Sequence, residues 1–239
     1  MALRGFCARM LGWGDECRVA VDRALRSIRL SLTHRAPLLL RCDSDPVPIA
    51  HALHRRVLGA DRPFVVCDPR RRDGKESVRS AGNHRTGAAA AQAAIGGSLC
   101  VRARRLPRDF PALLARLREL GADVQLIVCL DREDEPSFLS EPIEVPSLSM
   151  RAQDLPRIID EYAQDAIAAL GAPATSFHPD DHRWVLEHAA ASLPEIEKTT
   201  LRRVALRSSA NLSRAAARLG MAPVSLSRWL GRREPTHRA

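Results

Sequence analysis

The residues 38–54, LLLRCDSDPVPIAHALH, combine polar side chains and a backbone layout that phosphate chemistry uses. The apolar run Leu38-Leu39-Leu40 reads as a buried strand. A short polar turn follows, Cys42, Asp43, Ser44, Asp45 and Pro46, and then a helix with Ile49, Leu53 and Val57 on its apolar face. A strand, turn and helix in this order holds a triphosphate by aiming consecutive backbone N–H groups and a lysine at it. Here the chemistry is missing. The turn has no glycine and no lysine, Asp43 and Asp45 repel a polyanion, and Pro46 and Pro48 have no N–H. Arg41 is cationic but precedes the turn. Each hydrogen bond to a charged group contributes about 1.5–3 kcal/mol. Losing several of them removes more than the roughly 8 kcal/mol of a micromolar site can spare. No catalytic residue and no nucleotide cofactor are therefore expected.

Other reactive groups point nowhere sharper. His51 with His54, and His178 with His182, have spacings a metal could use, but no third ligand accompanies either pair. No Ser/His/Asp or Cys/His pairing stands out, so neither a metal nor covalent catalysis is expected. The six cysteines contain no CxxC, and Cys67, Cys100 and Cys129 lie in apolar runs that read as buried thiols.

The chain has 239 residues and a net charge of +9. From Glu195 onward it holds ten Lys/Arg and three acids, +7; the preceding 194 residues hold 27 and 25, +2. Only Lys75 and Lys198 are lysines, a compositional bias that explains the preference for arginine but not its concentration. A basic tail suits a polyanionic partner.

Within that tail, NLSRAAARLGMAPVSLSRWL (211–230) reads as a helix-turn-helix. Asn211 can cap the first helix, Ala215 and Ala216 allow a close crossing, and Gly220 can end the helix in the left-handed conformation. Pro223 opens the second helix, which buries Leu226 and Leu230. At ~100° per residue, Val224, Ser225, Arg228 and Arg232 fall on the opposite face. With Ser227, and with Asn211, Ser213 and Arg214 at the start of the first helix, they form the expected contacts to duplex DNA. Trp229, at the edge of the core face, is expected to pack rather than stack on bases.

These segments need a frame. Strands at 38–40, 63–67, 96–101 and 123–130 alternate with helices at 15–32, 47–59 and 107–120, which predicts a parallel sheet covered on both faces. Residues 68–87, DPRRRDGKESVRSAGNHRTG, are expected as a mobile loop whose Arg70–Arg72 run is read as solvated in preference to a second DNA contact. After Pro146 the pattern is helical only, with helices capped by Asp154 and opened by Pro179 and Pro194. Three domains follow: an α/β part over 1–146, a small helical part over 147–193, and the helix-turn-helix over 194–239. Nothing approaches the ~18 apolar residues of a membrane span. The charged N-terminal stretch does not suit a signal peptide, so a cytoplasmic location is expected.

The tail resembles the Fis-type DNA-binding domain, whose GN-S-AA--LG----L-R-L pattern is matched by Ala210-Asn211, Ser213, Ala215-Ala216, Leu219-Gly220, Leu226, Arg228 and Leu230. From about residue 10 the rest resembles the AAA+ domain of NtrC-type activators of sigma-54 RNA polymerase. RPFVVCD is similar to KPFVAVNC, GGSLCVRARRLP to GGTLFLDEVGELP, and VQLIVCLDR to VRVIAATNR. PIEVPSLSMRAQDLPRII, similar to PI-LPPLRERREDIPLL, is the most specific stretch. The resemblance implies a parallel-sheet AAA+ core, a helical lid and a helix-turn-helix. It also implies double-stranded DNA as partner, a homodimer or higher oligomer, and sigma-54 polymerase or a homologous AAA+ activator as further partners. The family's acidic pair falls on Arg102-Ala103, its sensor pair on Leu130-Asp131 and its lid arginine on Pro194. The expected function is thus a DNA-binding transcriptional regulator on an ATPase-dead scaffold. Its rivals are an ATP-hydrolysing sigma-54 activator and an interaction adapter or inactive ring subunit.

Overall fold

The structure, a computed structural model, describes residues 3–74, 81–119, 123–134 and 141–232. The chain divides into two compact units, 1–147 and 148–239.

The first unit is an α/β fold. Six strands, β1 (Leu38–Cys42), β2 (Phe64–Cys67), β3 (Gly82–His84), β4 (Ser98–Arg102), β5 (Gln125–Leu130) and β6 (Ile143–Val145), form one sheet in the order β3-β2-β4-β5-β1-β6. Every pairing is parallel, with Leu40 opposite both Cys129 and Ile143 in register. All the strand carboxyl ends therefore lie along one edge. The central strands are buried on both faces, as their unbroken runs of Leu, Val, Ile and Cys require. Helices α1 (Leu3–Leu11), α2 (Arg18–His34), α3 (Val47–Val57), α4 (Gly87–Ala93) and α5 (Phe110–Glu119) complete the unit. Ala90, Ala91 and Ala94 pack against Val65, Leu99 and Phe110 in its core.

Cys67, Cys100 and Cys129 are buried as expected, and the Sγ atoms of Cys100 and Cys129 lie 3.5 Å apart. His54 is committed to structure. Its Nε2–H donates to the Arg62 carbonyl (3.0 Å) and its Nδ1 meets Ser98 Oγ (2.8 Å), while His51 stacks on Phe64.

Several local expectations are corrected. Residues 68–87 are not one loop. Asn83 lies in an edge strand, β3, and Thr86 caps α4, its hydroxyl accepting the Ala89 N–H at 3.4 Å. Strands β3 and β6 are three residues each, too short for an alternation to register. The helix expected from residue 15 starts only at Arg18, because Asp15–Cys17 form a short 3-10 turn before it.

The second unit is helical: α6 (Leu155–Leu170), α7 (Pro179–Ala189), α8 (Leu193–Arg207), α9 (Leu212–Arg218) and α10 (Pro223–Gly231). Asp154 stands at the start of α6 in helical conformation, and its side chain caps nothing. Gly171 ends α6 at φ 54°, with the Ala172 N–H on the Ile167 carbonyl. Pro179 opens α7, and Pro194 is in the first turn of α8 behind a Ser192 cap. Ile158, Ile159, Val185, Ile196 and Val204 are buried among these helices.

Candidate nucleic-acid interface and candidate phosphate turn

Three helices of the second unit, α8, α9 and α10, build the tail. Ala205, Ala215, Ala216 and Leu226 have no exposed surface, and Leu219 closes the same core. Alanine side chains at the crossing let the helix backbones approach closely enough for Leu226 to fill the space between them. Asn211 caps α9: its Oδ1 accepts the Arg214 N–H at 2.9 Å. The helix ends at Gly220, φ 60°, with the Met221 N–H on the Ala216 carbonyl (2.8 Å) and the Gly220 N–H on the Ala217 carbonyl (3.0 Å). This paired closure needs a left-handed residue, which glycine supplies without a Cβ penalty. Ala222 then turns the chain and Pro223 starts α10.

Ser213, Arg214, Val224, Ser225, Ser227, Arg228 and Arg232 are all exposed. The other cations of the tail among the described residues are occupied. Lys198 lies 3.7 Å from Glu195, and Arg202 covers the Trp229 ring at 4.9 Å. Arg203 and Arg207 bond Asp181, and Arg218 donates to Ser208 and to the Leu170 carbonyl. Arg214, Arg228 and Arg232 make no ion pair or side-chain hydrogen bond among the described residues. Trp229 packs against the tail core and meets Trp184 at 5.5 Å between ring centroids.

Asp181 anchors this assembly and was not singled out by the sequence. It is fully buried at the third position of α7, where it accepts the His178 N–H at 3.1 Å. Its two oxygens meet Arg203 Nε at 2.7 Å and Arg207 Nε at 3.0 Å. Burial pushes the carboxyl pKa up, but the Arg203 hydrogen bond, the His178 N–H, the Arg203 charge and the Arg207 hydrogen bond outweigh it. The result lies below the ordinary aspartate value of 3.8.

In the first unit the turn after β1 is closed upon itself. Cys42 Sγ donates to the Ser44 carbonyl at 2.9 Å, and burial raises its thiol pKa. Asp45 Oδ1 accepts the Val47 N–H at 3.0 Å, the first N–H of α3. Pro48, the next helical residue, has none to offer. A carboxylate of the chain itself thus occupies the helix terminus where a phosphate would bind. Arg102, the last residue of β4, donates to the same Asp45 oxygen at 2.7 Å, and Arg132 pairs with Asp43 at 3.2 Å. Arg41 is held by Glu144 and the Asp134 carbonyl. Pro46 is buried, and Ala103 packs on the sheet core. The structure therefore brings Asp45 and Arg102 together as an ion pair.

No family profile matches the chain, and no curated protein is similar to it. Among solved structures it is similar to NtrX from Brucella abortus in complex with ADP. The identity is 17%, the TM-score 0.46, and the match spans 90% of this chain and 68% of that one. The same protein in complex with ATP gives the same values. A further NtrX structure from Brucella abortus is 18% identical, with a TM-score of 0.46 over 96% of this chain and 70% of that one.

Chemically, the described residues of the tail offer three free guanidinium groups and three hydroxyls on one short helix pair. These are donors suited to phosphate oxygens and guanine edges. The turn offers no free anion-binding group comparable to these. His182 Nε2 meets the Pro156 carbonyl at 3.2 Å, and no group of three or more metal-ligating side chains exists among the described residues. No helix among them is long and apolar enough to cross a membrane.

Proposed function

We propose that the chain is a sequence-specific DNA-binding regulator of transcription, built on an AAA+-like α/β scaffold that neither holds nor hydrolyses ATP. The reading rests on one observation: of the tail's described cations, the three without partners are those at the start of α9 and on the exposed face of α10. Arginines placed for packing find carboxylates, rings or carbonyls, as Arg202, Arg203, Arg207 and Arg218 do. Arginines left extended in water beside Ser213, Ser225 and Ser227 suit a helix lying in a major groove. In this reading Arg228 and Arg232 meet base edges and phosphates, Ser213 and Arg214 meet the backbone, and Val224 contacts a thymine methyl. Two copies would bind paired half-sites. The self-occupied α3 terminus supports the absence of ATP chemistry.

Selection of bound duplexes from a random pool tests the proposal. A recurring, two-fold symmetric sequence is expected. Arg228→Ala should weaken binding to it by about 1–3 kcal/mol and relax the preference at one base pair per half-site. Binding to all duplexes alike would replace this reading with an adapter. ATP turnover above background would replace it with a working activator.

A further inference from the structure

The turn after β2 contradicts the expectation of a loose solvated loop. Asp68 is fully buried, and its Oδ1 accepts the Arg70 N–H at 2.9 Å while Oδ2 accepts Arg105 Nη1 at 3.1 Å. Asn83, from β3, reaches into the turn. Its Oδ1 accepts the Asp68 N–H (3.1 Å), and its Nδ2 lies 3.2–3.3 Å from the carbonyls of Asp68, Arg71 and Arg72. Gly74 and Asn83 exchange two backbone hydrogen bonds. Asp73 and Pro69 are each tied to Arg85. A buried carboxylate and a buried amide thus fix the backbone of residues 68–74.

What this frame displays is Arg70, Arg71 and Arg72, all exposed and without an ion pair or side-chain hydrogen bond among the described residues. Their neighbours along the carboxyl edge of the sheet behave otherwise. Arg41, Arg102, Arg104, Arg105 and Arg132 are each matched by a carboxylate. Among the described residues the triplet is therefore unpaired charge beside five arginines that carboxylates match. The charge balance by unit agrees. Residues 1–147 hold 24 Lys/Arg and 18 Asp/Glu, a net +6, and residues 148–194 hold 3 and 7, a net −4. The acidic helices mask the basic α/β unit when the first 194 residues are counted together.

We propose that the Arg70–Arg72 turn is a second, sequence-independent contact to the phosphate backbone of duplex DNA. The inference rests on the proposed DNA-binding function and extends it to the first unit. Guanidinium forks match phosphate oxygens, and a preordered turn loses less conformational entropy on binding than a loose one. An acidic protein is the less suitable partner. None of the exposed large apolar side chains lies within residues 68–74, and protein interfaces draw most of their energy from buried anchors of that kind.

The test uses the full chain and measures affinity for a preferred and a random duplex across a sodium chloride series. Arg70→Ser/Arg71→Ser/Arg72→Ser should weaken both duplexes by the same factor. It should also reduce the slope of log affinity against log salt by about 2–3, at ~0.9 per phosphate contact. The charge-conserving triple change to Lys should keep most of the slope, separating lost charge from lost fold. Affinity and slope that match the unaltered chain in the serine variant would sink this inference and leave the triplet as a surface for an acidic protein or for solvent. In that case loss of sequence preference in Arg214→Ala/Arg228→Ala/Arg232→Ala would still uphold the tail's function. A chain that binds no duplex at low salt takes down both.

Discussion

At the scale of single residues, the polar groups with the greatest energetic consequence are buried carboxylates whose partners hold them charged. Asp181 ties α7 to α8 through Arg203 and Arg207. Removing one member of a buried pair leaves an uncompensated charge, which costs about 3–5 kcal/mol. Asp181→Asn should therefore lose stability of that order in urea unfolding at neutral pH, with Arg203 stranded beside a neutral amide. The pH dependence has a definite sign. The folded carboxyl has a lower pKa than the unfolded one, so its stabilisation is complete above 3.8 and is lost as pH falls below that value through the depressed pKa. The gap between the parent protein and Asp181→Asn should accordingly close in acid and stay constant from pH 6 to about 8. A gap that widened on acidification would refute the assignment.

At the scale of elements, the elbow between α9 and α10 decides whether the tail can present its arginines. The closure at Gly220 satisfies two terminal carbonyls of α9 and sets the direction in which α10 leaves. An alanine at φ 60° carries a Cβ strain of roughly 1–2 kcal/mol. Gly220→Ala should lower the thermal midpoint accordingly, and it should weaken binding to the selected duplex although residue 220 touches no base. Its α3 counterpart shows the opposite use of a helix end. There Asp45 fills the terminus from within, and Pro48 removes the next donor. Much of this was legible beforehand: the two prolines, the missing glycines and the Asn211 cap are local signals. Unrecognised were β3, which pairs with β2 although Gly-Asn-His does not favour extension, and β6, where Ile143 and Val145 favour it but the run of three is too short to stand out.

At the scale of the whole molecule, the boundaries of the two compact units divide the charge differently from the count along the chain. A tail of +7 suggested a single binding element, whereas the α/β unit is itself basic. Nucleotide linkage offers a global readout. A ligand at a hundred times its dissociation constant stabilises the folded state by about 2.7 kcal/mol, which moves a melting midpoint by several degrees. Millimolar magnesium-ATP should leave the midpoint unmoved. A reproducible upward shift would show that the chain still binds nucleotide and would end the reading that it holds no ATP.

The amino-acid sequence by itself determined the parallel sheet, the helical second half and the capped helix pair α9 and α10. Apolar periodicity, glycines and prolines act over a few residues, and four long strands and a capped helix pair are visible at that range. Tertiary structure alone decided which charges are free. Arg102 meets Asp45 across 57 positions, Arg105 meets Asp68 across 37, and Arg203 meets Asp181 across 22. No local pattern distinguishes these arginines from Arg70–Arg72 or Arg228. An ion pair depends on a contact of a few ångströms that only folding brings about, so the charges left exposed are what remains once those contacts have formed.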